Sequence, residues 1–432
     1  MRTVLAALFL TAGALYSETL TLDQCLDLAL KKSPDIITLQ NDYESGRAKT
    51  REVRSVFLPR VSAAFSANRQ VSPLSSTFGD MAPLFPGLGR EIDNTNYSLG
   101  LSASQNIWDF GRSLAAERQI SLSEELAALQ LEKKKIEVVY NVKKGYYALL
   151  QAKNMEKVSA LTLADLKHLL EAVRARKDQG LATPVDVLNA EVETLKFDHE
   201  AKKAANQAEL AVIALKNLLV KNEEEVLTLA EEKLAAPAGE PLGLKNYEEA
   251  KMKTLACRLD FKELKLRGKI AAESVGGAYA DYWPSLAGQA GYQYTGNDLY
   301  LKNASWSIGL NISLPLFDGF SRAAKVEQAE LAVKNVAVSG KLLEQTLLLQ
   351  VKNNYFKIKE AKNACELALV KLEYLKKNLE AVTAKYEQGL STVTDLIEAQ
   401  TKKSSAELEN LQAVYAFYTG LNDLEYSIGG SK

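Results

Sequence analysis

Four short stretches of the chain alternate apolar with small polar residues. In WSIGLNISLPLF, Trp306, Ile308, Leu310, Ile312, Leu314 and Leu316 are separated by Ser307, Gly309, Asn311 and Ser313. Tyr97, Leu99, Leu101 and Ala103 interleave with Ser98, Gly100, Ser102 and Ser104 in the same way. Pro59 opens a third stretch (Val61, Ala63, Phe65, Ala67) and Pro284 a fourth (Leu286, Gly288, Ala290, Tyr292, Tyr294). A period of two predicts strands with two unlike faces. Elsewhere apolar residues recur every three or four positions, as in Leu122, Leu126, Leu129 and Val142, Tyr146, Leu149. No proline falls in 112–183 or 321–432, and both intervals are rich in Ala, Leu, Glu, Lys and Gln. These are strong helix formers. Each run holds about 70 residues before a Gln-Gly-Leu turn, a rod of roughly 100 Å at 1.5 Å per residue.

The pattern occurs twice. RKDQGLATPVDVLNAE (176–191) and KYEQGLSTVTDLIEAQ (385–400) lie 209 positions apart, as do NVKKGYYALLQAKN (141–154) and QVKNNYFKIKEAKN (350–363). Upstream the offset is 225, pairing Asp35 with Asp260 and Pro59 with Pro284. The first half therefore carries 16 extra residues between Pro59 and Trp108, and SPLSSTFGDMAPLFPGLG reads as a longer loop there. The chain is a duplication of one unit. The expected order is helices at 18–56, a strand pair at 57–110, a helical hairpin at 111–220 and a linking segment at 221–246. The second copy gives helices at 247–281, strands at 282–318, a hairpin at 319–422 and a tail at 423–432.

The opening MRTVLAALFLTAGALYS reads as an export signal over 1–17: Arg2, then a short apolar run, then small residues. No later stretch has the ~18 apolar residues of a spanning helix, so membrane entry would need a β-barrel. Cys25, Cys257 and Cys365 are too few for a disulfide framework. His168 and His199 have no metal spacing, and no nucleophile–His–carboxylate set or phosphate loop is present. Neither an enzyme nor a cofactor is expected. A net charge of −1 gives no sign of nucleic-acid binding. Four strands cannot enclose a channel, since even eight are filled by side chains. An open sheet in lipid would expose unpaired backbone groups, so several copies would have to share one barrel.

The strand pairs, PLFDGFSR after the fourth strand, both Gln-Gly-Leu turns and the LTLDQCLDLALKKSPDI opening together resemble the TolC-like outer-membrane efflux proteins. The resemblance implies a mainly α fold with a membrane β part. Duplicated antiparallel hairpins would form a trimeric α-barrel, and four strands per chain would join a shared twelve-stranded β-barrel. It implies a homotrimer set in outer-membrane lipid, working with a periplasmic adaptor and an inner-membrane transporter as the exit duct for efflux or type I secretion. The tips Gly180, Leu181, Ala182, Thr183 and Gly389, Leu390, Ser391, Thr392 would be docking sites, six near-equivalent sockets in a trimer. Asp395 and Glu398 would line a periplasmic aperture, and Asp186 and Tyr386 would hold it shut. An Arg of the family's lock is replaced by Ser391, leaving Arg174, Lys177 or Lys385 as substitutes. The alternative is an adhesive trimeric coiled coil with a β-barrel anchor, which predicts strands at one end rather than within each repeat.

Overall fold

The computed structural model describes residues 18–73, 91–222, 224–231, 233–234, 241–244 and 246–430. The expected signal, and most of the Pro/Gly/Ser-rich loop, lie outside them. In chain order the elements are β1 (Glu18–Leu20), α1 (Leu22–Lys32), α2 (Pro34–Arg54), β2 (Arg60–Pro73), β3 (Glu91–Trp108), α3 (Arg112–Asp178) and α4 (Pro184–Leu218). They continue as β4 (Leu227–Leu229), α5 (Tyr247–Cys257), α6 (Leu259–Ala280), β5 (Ser285–Gly296), β6 (Asn303–Ser313), α7 (Ser321–Glu387) and α8 (Val393–Ile428). The long helices α3 and α7 each have 67 residues, as expected of two copies of one unit. Among the described residues no helix is long and apolar enough to cross a membrane.

The residues cluster into two compact units, each drawn from separated segments. One contains 41–129 and 262–341; the other contains 1–40, 130–261 and 342–432.

The first unit holds an antiparallel sheet in the order β2-β3-β5-β6. Its register keeps the alternation of all four strands in phase. Ala63, Leu101, Tyr292 and Trp306 form one cross-strand row, and Val61, Ala103, Ala290 and Ile308 the next. The opposite face carries Ser62, Ser102, Gly291 and Ser307 in one row and Ser66, Ser98 and Thr295 in another. Hydroxyls of Ser62 and Ser102 lie 2.8 Å apart and those of Ser66 and Ser98 2.7 Å apart. A slip of one residue would mix the faces. β2 and β6 are edge strands within the chain. At the strand–helix joints, equivalent left-handed pairs turn the backbone: Phe110 and Gly111, then Gly319 and Phe320. Beside the first, Phe110 stacks on Trp283 with centroids 5.2 Å apart.

The other unit is helical, with one small sheet that sequence periodicity did not reveal. β1 pairs in parallel with β4, and Leu20 and Leu227 are buried against Cys25, Tyr146, Leu149 and Leu215. Three residues are too few to show a period. Thr21 and Gln24 make the capping box that starts α1. Burial pushes the Cys25 thiol up to about 11, against the opposing charge of Lys221, so it remains a neutral core group. All three cysteines are free. Helices α3 and α8 are joined by hydrogen bonds down their length: Tyr140 to Asp423, Asn154 to Tyr415, Thr162 with Ser404, and Gln400 to Asp165.

The expected tail from 423 is instead the end of α8, with Leu424 and Ser427 fully buried. Its terminal carbonyls have a partner: Arg258 Nη1 donates to Ser427 O at 2.7 Å. The Arg258 Nε also donates to Asp260 Oδ2 at 2.6 Å, and Lys133 Nζ reaches Asp260 Oδ1 at 2.5 Å. Its duplicate, Asp35, pairs with the neighbouring Lys134 at 2.8 Å. Burial raises the Asp260 pKa, but the hydrogen bonds from Lys133 and Arg258 outweigh it and hold the carboxyl below its usual range. A lowered carboxylate pKa stabilises the fold above the unfolded-state value and loses that contribution as pH falls through the folded value. Asp260→Asn should therefore cost about 3 kcal/mol at neutral pH, the scale for breaking a buried pair, and much less in strong acid. Denaturation followed by circular dichroism at both pH values checks this; an equal cost at both would remove the ion pair as its cause.

Candidate functional site

The two helical hairpins turn at sites of matching chemistry, both in the unit that holds residues 130–261 and 342–432. α3 ends when Gly180 adopts φ +72°, and α7 ends when Gly389 adopts φ +74°. The Leu181 N–H donates to Arg176 O at 2.9 Å and Gly180 N–H to Lys177 O at 2.9 Å. The second turn repeats both bonds, Leu390 to Lys385 at 2.8 Å and Gly389 to Tyr386 at 3.1 Å. This pairing satisfies orphan carbonyls at a helix end and needs a left-handed residue, which glycine adopts without a Cβ clash.

Return helices start with matching caps. Asp186 Oδ2 accepts from Thr183 N and Oγ1 at 2.8 and 2.7 Å, and Asp186 N donates to Thr183 Oγ1 at 3.2 Å. Asp395 Oδ2 accepts from Thr392 N and Oγ1 at 2.9 and 2.7 Å, and also from Ser391 Oγ at 3.1 Å. Hydrogen bonds from the Thr392 side chain, then its backbone, then Ser391 lower the Asp395 pKa. Within one chain, then, Asp186 and Asp395 are duplicate capping carboxylates, although the resemblance gave them different roles. Ser391 serves as a third donor to Asp395. Glu398 is exposed one turn further along and pairs with Lys402 at 2.6 Å.

Asp186 and Tyr386 are not joined. The Tyr386 hydroxyl is buried with no hydrogen-bond partner, and its ring packs among Leu170, Val173, Ala190, Val393, Leu396 and Ile397. This cluster draws from all four long helices, so it ties one hairpin to the other. Over the ring, 4.2 Å from its centroid, lies the Arg176 guanidinium. Arg174 is engaged elsewhere, 3.5 Å from Glu191. Sequence reasoning missed Arg176 because nothing in its local pattern separates it from the basic residues around it.

The two tips also differ. Leu181, Val185, Leu188, Val192 and Leu195 are all exposed and follow the 4-3-4-3 spacing of a helix-packing seam. In the second repeat the duplicate of Leu188 is Ile397, only 5% exposed against 60%; the duplicate of Leu195 is Ser404, fully buried. Within the single chain, α4 thus leaves exposed a face that α8 buries. The spacing was legible in the sequence, but its exposure was not.

The chain matches the family described as outer membrane efflux protein over residues 25–220 and 252–430, one stretch in each repeat. It is 23% identical to the outer membrane protein TolC of Vibrio cholerae over 99% of this chain and 94% of that protein. It is 25% identical to the outer membrane protein OprJ of Pseudomonas aeruginosa over 95% and 84% of the two chains. The crystal structure of the Campylobacter jejuni CmeC outer membrane channel superposes with a TM-score of 0.81 at 19% identity, covering 95% of this chain and 85% of that one. Among the described residues no group of His, Cys, Asp and Glu is placed to hold a metal.

Removing a cap carboxylate should loosen one helix start and leave the other intact. Asp395→Ala should speed exchange of the Thr392 amide several-fold, because that N–H loses its acceptor. Asp395→Asn, which retains an acceptor, should change it much less. Equal rates in the two variants would show that Asp395 does not act as the cap.

Proposed function

The chain belongs to the outer membrane efflux protein family, and from that premise we propose that three copies close one barrel in the outer membrane and form the exit duct of an efflux or type I secretion assembly. Its relatives are outer-membrane channels, and the outer membrane is its location. The observation that carries the trimer is the sheet. Four in-phase strands present one apolar and one polar face but leave β2 and β6 unpaired at the edges. In lipid, about five unpaired N–H groups on each edge would cost several kcal/mol apiece. Pairing β6 of one copy with β2 of the next removes both edges, and three copies give twelve strands with an open lumen. The apolar face meets lipid and the Ser/Gly/Asn face lines water.

The tips Gly180, Leu181, Ala182, Thr183 and Gly389, Leu390, Ser391, Thr392 are the proposed contacts with a periplasmic adaptor, which links the duct to an inner-membrane transporter. The seam from Val185 to Leu195 duplicates the α8 face that packs on α3, so in the proposed trimer its spacing suits packing against a long helix of the next copy. Asp395 and Glu398, repeated around a threefold axis, are the proposed acidic aperture. The lowered Asp395 pKa supports a charge that persists into mild acid. Lys402 beside Glu398 offsets part of the second charge, weakly at so exposed a site. Tyr386 with Arg176 and the apolar cluster beneath, rather than Tyr386 with Asp186, is the proposed fastening between hairpins. The duct itself does no catalysis and needs no cofactor; its cargo is set by the pump.

Purified protein should migrate as heat-modifiable trimers and conduct in planar bilayers. Leu310→Arg, on the lipid face, should impair assembly, whereas Asn311→Arg should assemble. Equal assembly of the two would invert the assignment of faces. At the tips, Leu181→Asp with Leu390→Asp should abolish efflux and cross-linking to the cognate adaptor while trimers remain in the membrane. Normal transport by that double variant would remove the tips from the docking surface.

A further inference from the structure

The apolar face of the sheet is not uniform. Near where the strands join the helices, two consecutive rows carry small residues at their centre, Ala103, Ala290 and Gly288. One row reads Val61, Ala103, Ala290, Ile308; the next has Gln105, Gly288 and Leu310. The row on one side is bulky, with Leu101, Tyr292 and Trp306; on the other stand Trp108, Leu286 and Ile312. Between them is a cavity of about 650 Å³ whose lining includes Pro59, Ala103, Gly288, Ala290, Ile308 and Leu310. Its volume falls within the roughly 300–1,000 Å³ range of small-molecule sites. The floor is set by close packing: a Cβ on Gly288 would stand 3.1 Å from Ile107 Cδ1. The one polar side chain in these rows is tied back, since Gln105 Nε2 donates to the Phe57 carbonyl at 2.9 Å.

We propose that this notch is a binding site for one acyl chain of a membrane phospholipid, held between the Trp306 row and the Trp108 end of the sheet. Three observations choose this occupant. The lining includes Ser104, Gln105 and Gln289 but is mainly apolar, and it is continuous with the face that meets lipid in the proposed duct, so the partner is hydrocarbon. The notch spans only two rows, between the bulkier rows of Tyr292 and Trp306 on one side and Leu286 and Ile312 on the other, which suits a single chain better than a protein segment. All its residues sit at the helix-joined ends of the strands, beside the stacked Phe110 and Trp283. Helices lie on the periplasmic side in the proposed duct, and phospholipid forms the membrane leaflet facing that side. The choice of phospholipid over lipopolysaccharide thus rests on the proposed function; the existence of the notch does not.

The three tryptophans of the chain, Trp108, Trp283 and Trp306, all lie in the sheet unit, which makes the site readable by fluorescence. In a Trp108→Phe, Trp283→Phe background, Trp306 alone reports. The probe is phosphatidylcholine brominated on its acyl chain, titrated into vesicles of unbrominated phosphatidylcholine. A seated chain should quench Trp306 at a lower brominated fraction than random contact predicts. Filling the notch with Ala103→Leu and Ala290→Phe should abolish that excess and reduce phospholipid retained through detergent extraction by about tenfold, a factor worth about 1.4 kcal/mol. Ala63→Leu, on the same face outside the lining, should change neither. Heat-modifiable migration verifies that each variant assembles, and Ala290→Val provides a milder filling should the double variant fail to do so. Random quenching of the wild type, or equal retention in wild type and filled variants, would overturn the site. Retention of lipopolysaccharide in place of phospholipid would overturn the choice of leaflet. Wild-type protein that never assembles would count against the trimeric duct rather than against the notch.

Discussion

The backbone of a sheet carries its own obligation: every N–H and C=O removed from water must find a partner. Four strands meet it between neighbours and fail at both edges, β2 and β6. In a soluble protein such edges are hydrated or blocked by charge. Here β6 presents Trp306, Ile308, Leu310 and Ile312, all strongly exposed within the single chain. A face that apolar belongs in lipid, and lipid will not hydrate an edge. These two facts together support the proposed closure by further copies, and the internal duplication suits it, since each repeat contributes one hairpin of strands.

What holds the helical unit in register is different in kind. Helices satisfy their own backbones except at the ends, and specificity falls to the caps and a few polar cross-links. Both tips use a glycine end, a threonine cap and an aspartate three residues on. At the other end of α8, Arg258 supplies the donors that its last carbonyls lack. The alternative of an adhesive coiled coil fits poorly here, because α3 and α8 are joined by specific hydrogen bonds rather than by a uniform apolar stripe.

The sequence made the repeat, the strand faces and both long helices legible because each is written in a period or a copied motif. Tertiary features without either were not readable. β1 and β4 are three residues each, too short for a period. Arg176 over Tyr386 joins side chains from different hairpins, and no spacing along one strand of sequence records it. The end of α8 reads as a tail in the sequence because what holds it, Arg258 and the packing of Leu424 and Ser427, comes from contacts that no local pattern records. Asp186 and Asp395 show the converse problem. Resemblance assigned them separate duties, while the geometry of each chain gives them one duty first, the start of a helix.

Duplicated units begin alike, and what remains alike shows what the backbone requires. The glycines, threonines and aspartates of the tips are retained in both copies since no other arrangement so cheaply ends one helix and starts the next. Side chains beyond the cap differ in burial: Leu188 is exposed where Ile397 is buried, and Leu195 is exposed where Ser404 is buried against Thr162. The cause lies in α8, whose inner face is committed to α3 through Ser404, Gln400 and Tyr415. The corresponding face of α4 has no such partner among the described residues of its own chain, so the proposed trimer would make the same kind of contact once within each chain and once between chains.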